Sequence, residues 1–278
     1  MIKSILVALD ASDYTEGAVK SAARLAQAYN ASLMMVHVMD VRIIEGPMFG
    51  SFDGYTVGNM ASGQMDELRR ILEEKAANIQ KLAEELLAGS NVKHTAQTLL
   101  AVPPLGIVDM MAEVDLAVLG ARGEGARWGG AMLGSTVEKV AREGTKPLLV
   151  TRNKPCEFRK CLVAYDGSQH AQHSLLLAND ICRHCSSEIA VLTVSNNAAE
   201  RETRLDEAKK LLASSPLQVK WLSLGGEPGP TIIKTAKDEG ADLVMMGAFG
   251  HSRIREAIIG STTVEVMRGA EAAVLLVR

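Results

Sequence analysis

The sequence predicts an α/β protein made of two tandem halves, each a parallel sheet covered by helices. Three observations carry the prediction. Ile5-Leu6-Val7-Ala8-Leu9-Asp10-Ala11-Ser12 is matched by Cys161-Leu162-Val163-Ala164-Tyr165-Asp166-Gly167-Ser168. Leu119-Gly120-Ala121-Arg122-Gly123 with Gly134-Ser135-Thr136 is matched by Gly247-Ala248-Phe249-Gly250 with Gly260-Ser261-Thr262. Between these signatures, short apolar runs alternate with longer helical patterns in the same order twice, as in a sheet buried on both faces.

Each half opens on an apolar run ending in Asp-x-Ser, a buried strand that feeds a helix start. A second strand follows at Ser32–Val38 and Ile189–Val194, and the last at Lys146–Val150 and Ala272–Val277. A strand at Ala241–Met246 leads into the second glycine loop. Gln64 to Leu87 is apolar at Met65, Leu68, Ile71, Leu72, Ile79, Leu82 and Leu86, the stripe of a helix packed on the sheet. Asp66 and Arg70 are expected to pair on its wet face. The second half has only a short helix near Glu202–Ala213. The segment from Ile44 to Tyr55 has no period and no counterpart, and is either a lid or partner contact, or simply irregular. The polar stretch Arg152–Lys160, with Pro155, reads as the linker. The expected domains are therefore 1–153 and 157–278.

Composition excludes several functions. The net charge is −3. Residues 1–153 hold 15 Lys/Arg against 18 Asp/Glu, and residues 154–278 hold 15 of each, so neither half suits nucleic acid. No apolar run is long enough to span a bilayer and no leader precedes the first strand, which gives an expectation of a cytoplasmic protein without membrane contact. Four cysteines are too few for a disulfide scaffold and fit a reducing compartment.

Strand, glycine-rich loop, helix start is an arrangement that binds phosphate. Glycine lets backbone N–H groups approach the anion, and the helix dipole favours negative charge. The carboxylates of Asp10 and Asp166 stand at strand ends, where such sheets bind ligands. By themselves these aspartates read as helix caps, and the downstream glycines turn the balance to a ligand. Cys182 and Cys185 supply only two of the four ligands zinc needs and close a helix rather than open one, so they read as structural.

The pattern Gly-x-x-Gly-x9-Gly-Ser/Thr after a strand-end Asp resembles the universal stress protein family, twice over nearly the whole chain. The resemblance implies two Rossmann-like domains, each a five-stranded parallel sheet with helices on both faces. It places the two further strands at Lys93–Leu99 and Gln218–Leu224. It also implies an adenine nucleotide, ATP with or without Mg²⁺, as the ligand. In the second half Asp166 would meet the base or ribose and Val194 would offer backbone groups to the base. Gly247 and Gly250 would pass close to ribose and phosphate, and Gly260, Ser261 and Thr262 would hold the outer phosphates. In the first half the matching set is Asp10, Val38, Gly120, Arg122, Gly123, Gly134, Ser135 and Thr136. There ten residues, not nine, separate Gly123 from Gly134, and the turn Ala101-Val102-Pro103-Pro104 lacks the glycine of Gly226-Glu227-Pro228.

The function implied is a stress-response or regulatory role, in which the nucleotide sets the conformation that partner proteins recognise. A scaffold without nucleotide is one alternative and slow ATP hydrolysis the other. No nucleophile–base pair stands at the loops, and Gly-x-x-x-x-Gly-Lys-Ser/Thr is absent. The two final strands are expected to pair the halves, and further association of chains to a homodimer is implied.

Overall fold

A computed structural model of the chain describes residues 1–44, 62–124, 133–248 and 259–278, with the side chains of 62–65 outside the description. The rest of the Ile44 to Tyr55 segment beyond Ile44, and Gly250, lie outside the described residues. The first half runs β1 (Ser4–Leu9), α1 (Thr15–Tyr29), β2 (Ser32–Asp40), α2 (Ser62–Leu87), β3 (His94–Ala101), α3 (Pro103–Met111), β4 (Leu116–Gly120), α4 (Ser135–Glu143) and β5 (Leu148–Thr151). The second half repeats it: β6 (Lys160–Ala164), α5 (Gln169–Cys185), β7 (Glu188–Val194), α6 (Ala198–Leu211), β8 (Val219–Leu224), α7 (Pro228–Asp238), β9 (Leu243–Gly247), α8 (Ser261–Gly269) and β10 (Ala273–Val277).

All ten strands form one sheet in the order β3-β2-β1-β4-β5-β10-β9-β6-β7-β8. Within each half every pairing is parallel. The halves join where β5 and β10 pair antiparallel, with Leu149 opposite Leu275. The expected joining of the two final strands is what the structure shows. It hides two fully buried strands that would otherwise be sheet edges.

The repeat extends to details that sequence spacing does not reveal. Asp115 accepts from the backbone N–H groups of Lys3 and Ser4 at 2.7 and 3.1 Å. Asp242 accepts in the same way from Arg159 and Lys160 at 3.0 Å each. Each carboxylate thus ties the start of one strand to its neighbour. Helices α1 and α5 both end on a non-glycine residue in the left-handed region, Asn30 at φ 52° and Ser186 at φ 57°. The following N–H closes the turn in both halves, from Ala31 to Ala26 and from Ser187 to Cys182.

Two expectations need correction. Arg70 pairs with Glu67 and Glu74, not Asp66, because its fork reaches one acid on each side of it along the helix. The α2 stripe is shallower than its periodicity suggests. Ile79 and Leu87 are buried with Ala76 and Ala83, but Ile71 and Leu82 are exposed, since this helix overhangs the sheet it covers.

The linker is also not a free tether. Cys156 and Phe158 are buried. The Cys156 N–H donates to Ser21 Oγ at 2.8 Å, Arg24 donates to the Cys156 carbonyl at 3.2 Å, and Arg24 pairs with Glu157 at 2.6 Å. The segment is strapped along α1, and polar residue types in the sequence concealed this.

Candidate nucleotide-binding cleft

In the second half the strand order reverses at β6, with β7 on one side and β9 on the other. Parallel sheets bind ligands at the carboxyl ends of strands beside such a point. A cleft of about 340 Å³ lies there. Its walls bring together Asp166 after β6, Val194 at the end of β7, Gly247 at the end of β9, and Gly260, Ser261 and Thr262 at the start of α8. These are six of the seven second-half residues singled out from sequence, and the seventh, Gly250, is outside the described residues. Ala164, Leu192, Ile232 and Met246 give the cleft an apolar floor.

Local chemistry explains each placement. Asp166 Oδ1 accepts from the Ser168 N–H at 2.9 Å, which closes a turn of the kind short acids favour. Ser168, not Asp166, then caps α5 by accepting from the Ala171 N–H at 3.2 Å. The aspartate therefore shapes the turn at the cleft mouth and leaves the helix cap to its neighbour. Gly247 is required by close approach: a Cβ there would lie 2.8 Å from His170 Cβ and 3.1 Å from the Ala171 nitrogen. The α8 start has Gly260 at the capping position and no side-chain cap. Its first-turn N–H groups and the Ser261 and Thr262 hydroxyls are thus presented as a donor set suited to an anion. Thr263 anchors the turn, its hydroxyl lying 3.3 Å from the Gly247 and Ala248 carbonyls.

Sequence reasoning missed Arg204. It lines the same cleft from α6, with its guanidinium on Glu200 at 2.6 Å. Glu200 in turn accepts from Ser195 Oγ. A Cβ on Gly167 would stand 3.5 Å from Arg204 Cγ and from Glu207 Oε2. No local motif marks an arginine in mid-helix, so only the packing of α6 over the β6–α5 turn shows it.

The first half holds the matching residues on the same frame. Gly120 lies against Tyr14, as Gly247 does against His170. Gly134 caps α4 through backbone geometry alone, and its N–H reaches the Ala121 carbonyl at 3.0 Å, as Gly260 reaches Ala248 at 3.4 Å. Ser135 and Thr136 open α4 and Val38 lies within β2, on the pattern of Ser261, Thr262 and Val194. Asp10 holds the turn after its strand, as Asp166 does. Its Oδ1 accepts from Ser12 N–H at 3.0 Å, Ser12 Oγ at 2.6 Å and Thr15 Oγ1 at 3.1 Å. Arg122 meets this turn through its carbonyl, which accepts from Ser12 Oγ at 3.3 Å. His37, buried at the end of β2, holds the Leu9 carbonyl at 2.9 Å.

The helix-closing cysteines pack with the core, Cys182 within it and Cys185 against it. Cys182 is buried and Cys185 half-buried. Burial raises the Cys185 thiol to about 11, aided by Cys182 and Asp242, and burial also pushes Cys156 up. Among the described residues no helix is long and apolar enough to cross a membrane.

Comparison with known proteins agrees with this architecture. A family model described as the universal stress protein family matches residues 1–152 and 196–278. Universal stress protein Slr1230 of Synechocystis is 29% identical over 288 residues, covering 100% of both chains. Universal stress protein Rv2005c of Mycobacterium tuberculosis is 24% identical, covering 99% of this chain and 96% of the relative. Among solved structures, a universal stress protein from Archaeoglobus fulgidus superposes with a TM-score of 0.78 at 18% identity, covering 99% of this chain and 98% of the other. That likeness concerns the fold. With two matches to one family model that together span most of the chain, this protein belongs to the universal stress protein family.

Proposed function

We propose that the second-half cleft binds an adenine nucleotide, with ATP the leading ligand. The observation that carries this reading is the convergence of Asp166, Val194, Gly247, Gly260, Ser261 and Thr262 on one cleft of about 340 Å³. The volume falls in the range of small-molecule sites. The division of the walls fits a nucleotide. An apolar floor under Asp166 and Val194 suits a base, and the uncapped start of α8 suits phosphate. Mg²⁺ would enter with the triphosphate.

Binding, not turnover, is the proposed activity. Nucleotide stabilises whichever conformation it fills by RT ln(1+[L]/Kd), so occupancy can select the form that partner proteins or a second copy of the chain recognise. This gives a regulatory role in a stress response. A cytoplasmic setting fits four cysteines with no disulfide among them.

Mass spectrometry of small molecules retained after gentle purification tests the reading. An adenine nucleotide at a fixed ratio to the chain is expected. A chain that carries none and takes none up on incubation with ATP would be a scaffold. Phosphate release on incubation with ATP and Mg²⁺ would move the reading to slow hydrolysis.

A further inference from the structure

The two halves differ in what sits over the turn that follows the strand-end aspartate. In the first half this is Glu124. Its Oε1 accepts from the Ala11 N–H at 3.0 Å, and its other oxygen is held by Lys75 of α2. The preceding residues follow it down onto the same turn. The Arg122 carbonyl accepts from Ser12 Oγ at 3.3 Å, and a Cβ on Gly123 would stand 2.8 Å from Asp10 Oδ2. Residues 122–124, more than a hundred positions along the chain, are thereby stitched to residues 10–12.

We propose that Glu124 is a latch that closes off the first-half motif residues, so that the chain binds one nucleotide and binds it in the second half. The proposal rests on the nucleotide reading of the second half. Two effects act together. The carboxylate adds a negative charge at the turn that holds Asp10, which repels a phosphate chain. It also occupies the Ala11 N–H and the Lys75 ammonium, two donors that an incoming anion would otherwise use. In the second half the acid near this turn is Glu207 of α6, whose Oε2 would stand 3.5 Å from a Cβ on Gly167, with Arg204 of the same helix beside it, and among the described residues it takes no hydrogen bond from the turn. Counting from Gly120 and Gly247, the position of Glu124 is taken by His251. The cation its following helix brings to the turn, Arg204, is held by Glu200 of that same helix, one turn away. Glu124 is thus the residue that decides which half is available, and with the latch released Asp10, Gly120, Gly134, Ser135 and Thr136 become a second site.

Equilibrium dialysis with labelled ATP on the full chain counts sites. The wild type is expected to bind one nucleotide per chain, and Glu124→Ala two. Glu124→Gln, which keeps the side chain's size and drops its charge, gives a second variant should the alanine form fold poorly. Hydrogen exchange at the Ala11 amide supplies a readout independent of nucleotide and should quicken at least about tenfold in Glu124→Ala as its acceptor is lost. An unchanged stoichiometry in both variants, or two nucleotides already on the wild type, overturns the latch. A wild type that binds none while Glu124→Ala binds one supports the latch and removes the second-half reading, so the two failures are told apart.

Discussion

Arg152 and Arg278 are the same residue twice, each reaching out of its own half to cap the motif helix of the other. Arg152 follows β5 and donates to the Met267 carbonyl at 2.8 Å, in the last turn of α8, and to the Ala272 carbonyl at 3.1 Å, just before β10. Arg278 follows β10 and donates to the carbonyls of Ala141 at 3.1 Å and Arg142, at the end of α4. A cation at a helix C-terminus satisfies orphan carbonyls and opposes the dipole favourably. Since α4 and α8 begin at Gly134 and Gly260, the far end of each phosphate-motif helix is held by the opposite half. Arg268 and Glu138 add a direct contact between these helices at 2.6 Å.

Replacing Arg152 by Met should therefore lower the stability of the whole chain, not of the first half alone. Losing two hydrogen bonds to carbonyls from a charged donor costs about 1–3 kcal/mol. Arg278→Met should cost less, because its site is more open. Urea unfolding followed by fluorescence checks both. A broadened or two-step transition would show the halves beginning to unfold separately.

Gly17 gives a prediction opposite in sign to helix propensity. It lies inside α1, where alanine normally stabilises by about 1 kcal/mol. Here a Cβ would stand 2.0 Å from the Arg152 carbonyl oxygen, a backbone atom of the strapped segment. Gly17→Ala should destabilise by about 1–3 kcal/mol, the usual cost of overpacking. A melting temperature equal to or above wild type would show that the segment does not lie on α1 as described.

Asp115 predicts a pH dependence. Burial alone would raise its carboxyl, but the N–H groups of Lys3 and Ser4, the Ser4 hydroxyl and the Lys146 charge outweigh this and hold it below the usual aspartate value. The folded value is depressed, so the stabilisation is complete above the unfolded value of about 4 and is lost as pH falls through the folded one. Asp115→Asn should be less stable at pH 7 by about 1 kcal/mol and should lose less on acidification below about pH 4. Parallel stability curves for variant and wild type between pH 6 and pH 3 would contradict it.

The cysteines predict chemical silence. With Cys185 raised to about 11, its thiolate fraction at pH 8 is roughly a hundredfold or more below that of a free cysteine near 8.5. The native chain should react with a disulfide reagent only slowly, and all four thiols should appear on unfolding. Rapid labelling of even one thiol in the native state would contradict the buried placement.

What the sequence revealed follows from what repeats and what does not. Asp166, Gly247 and Gly260 were legible because a strand end, a close approach and a helix start each demand a residue type, and the first half states the same demand again. The five-strand halves were harder to read. β3 and β8 lie at the sheet edges and are half exposed, so their apolar content is diluted. Arg204 and the Lys75–Glu124–Ala11 contact were not legible at all. They join elements distant along the chain through side chains that would pass for solvated charges. The strap at Arg152–Phe158 was hidden likewise, because its polar residues read as a linker until Ser21 and Arg24 are seen to hold them.

Calorimetric titration of the full chain with ATP, wild type beside Asp166→Ala, tests the central claim most directly. The account predicts saturable heat from one site per chain, a higher melting temperature at saturation, and an affinity lowered about tenfold or more in the variant, a loss of about 1.4 kcal/mol or greater. No heat and no rise in melting temperature at saturating ATP would contradict it.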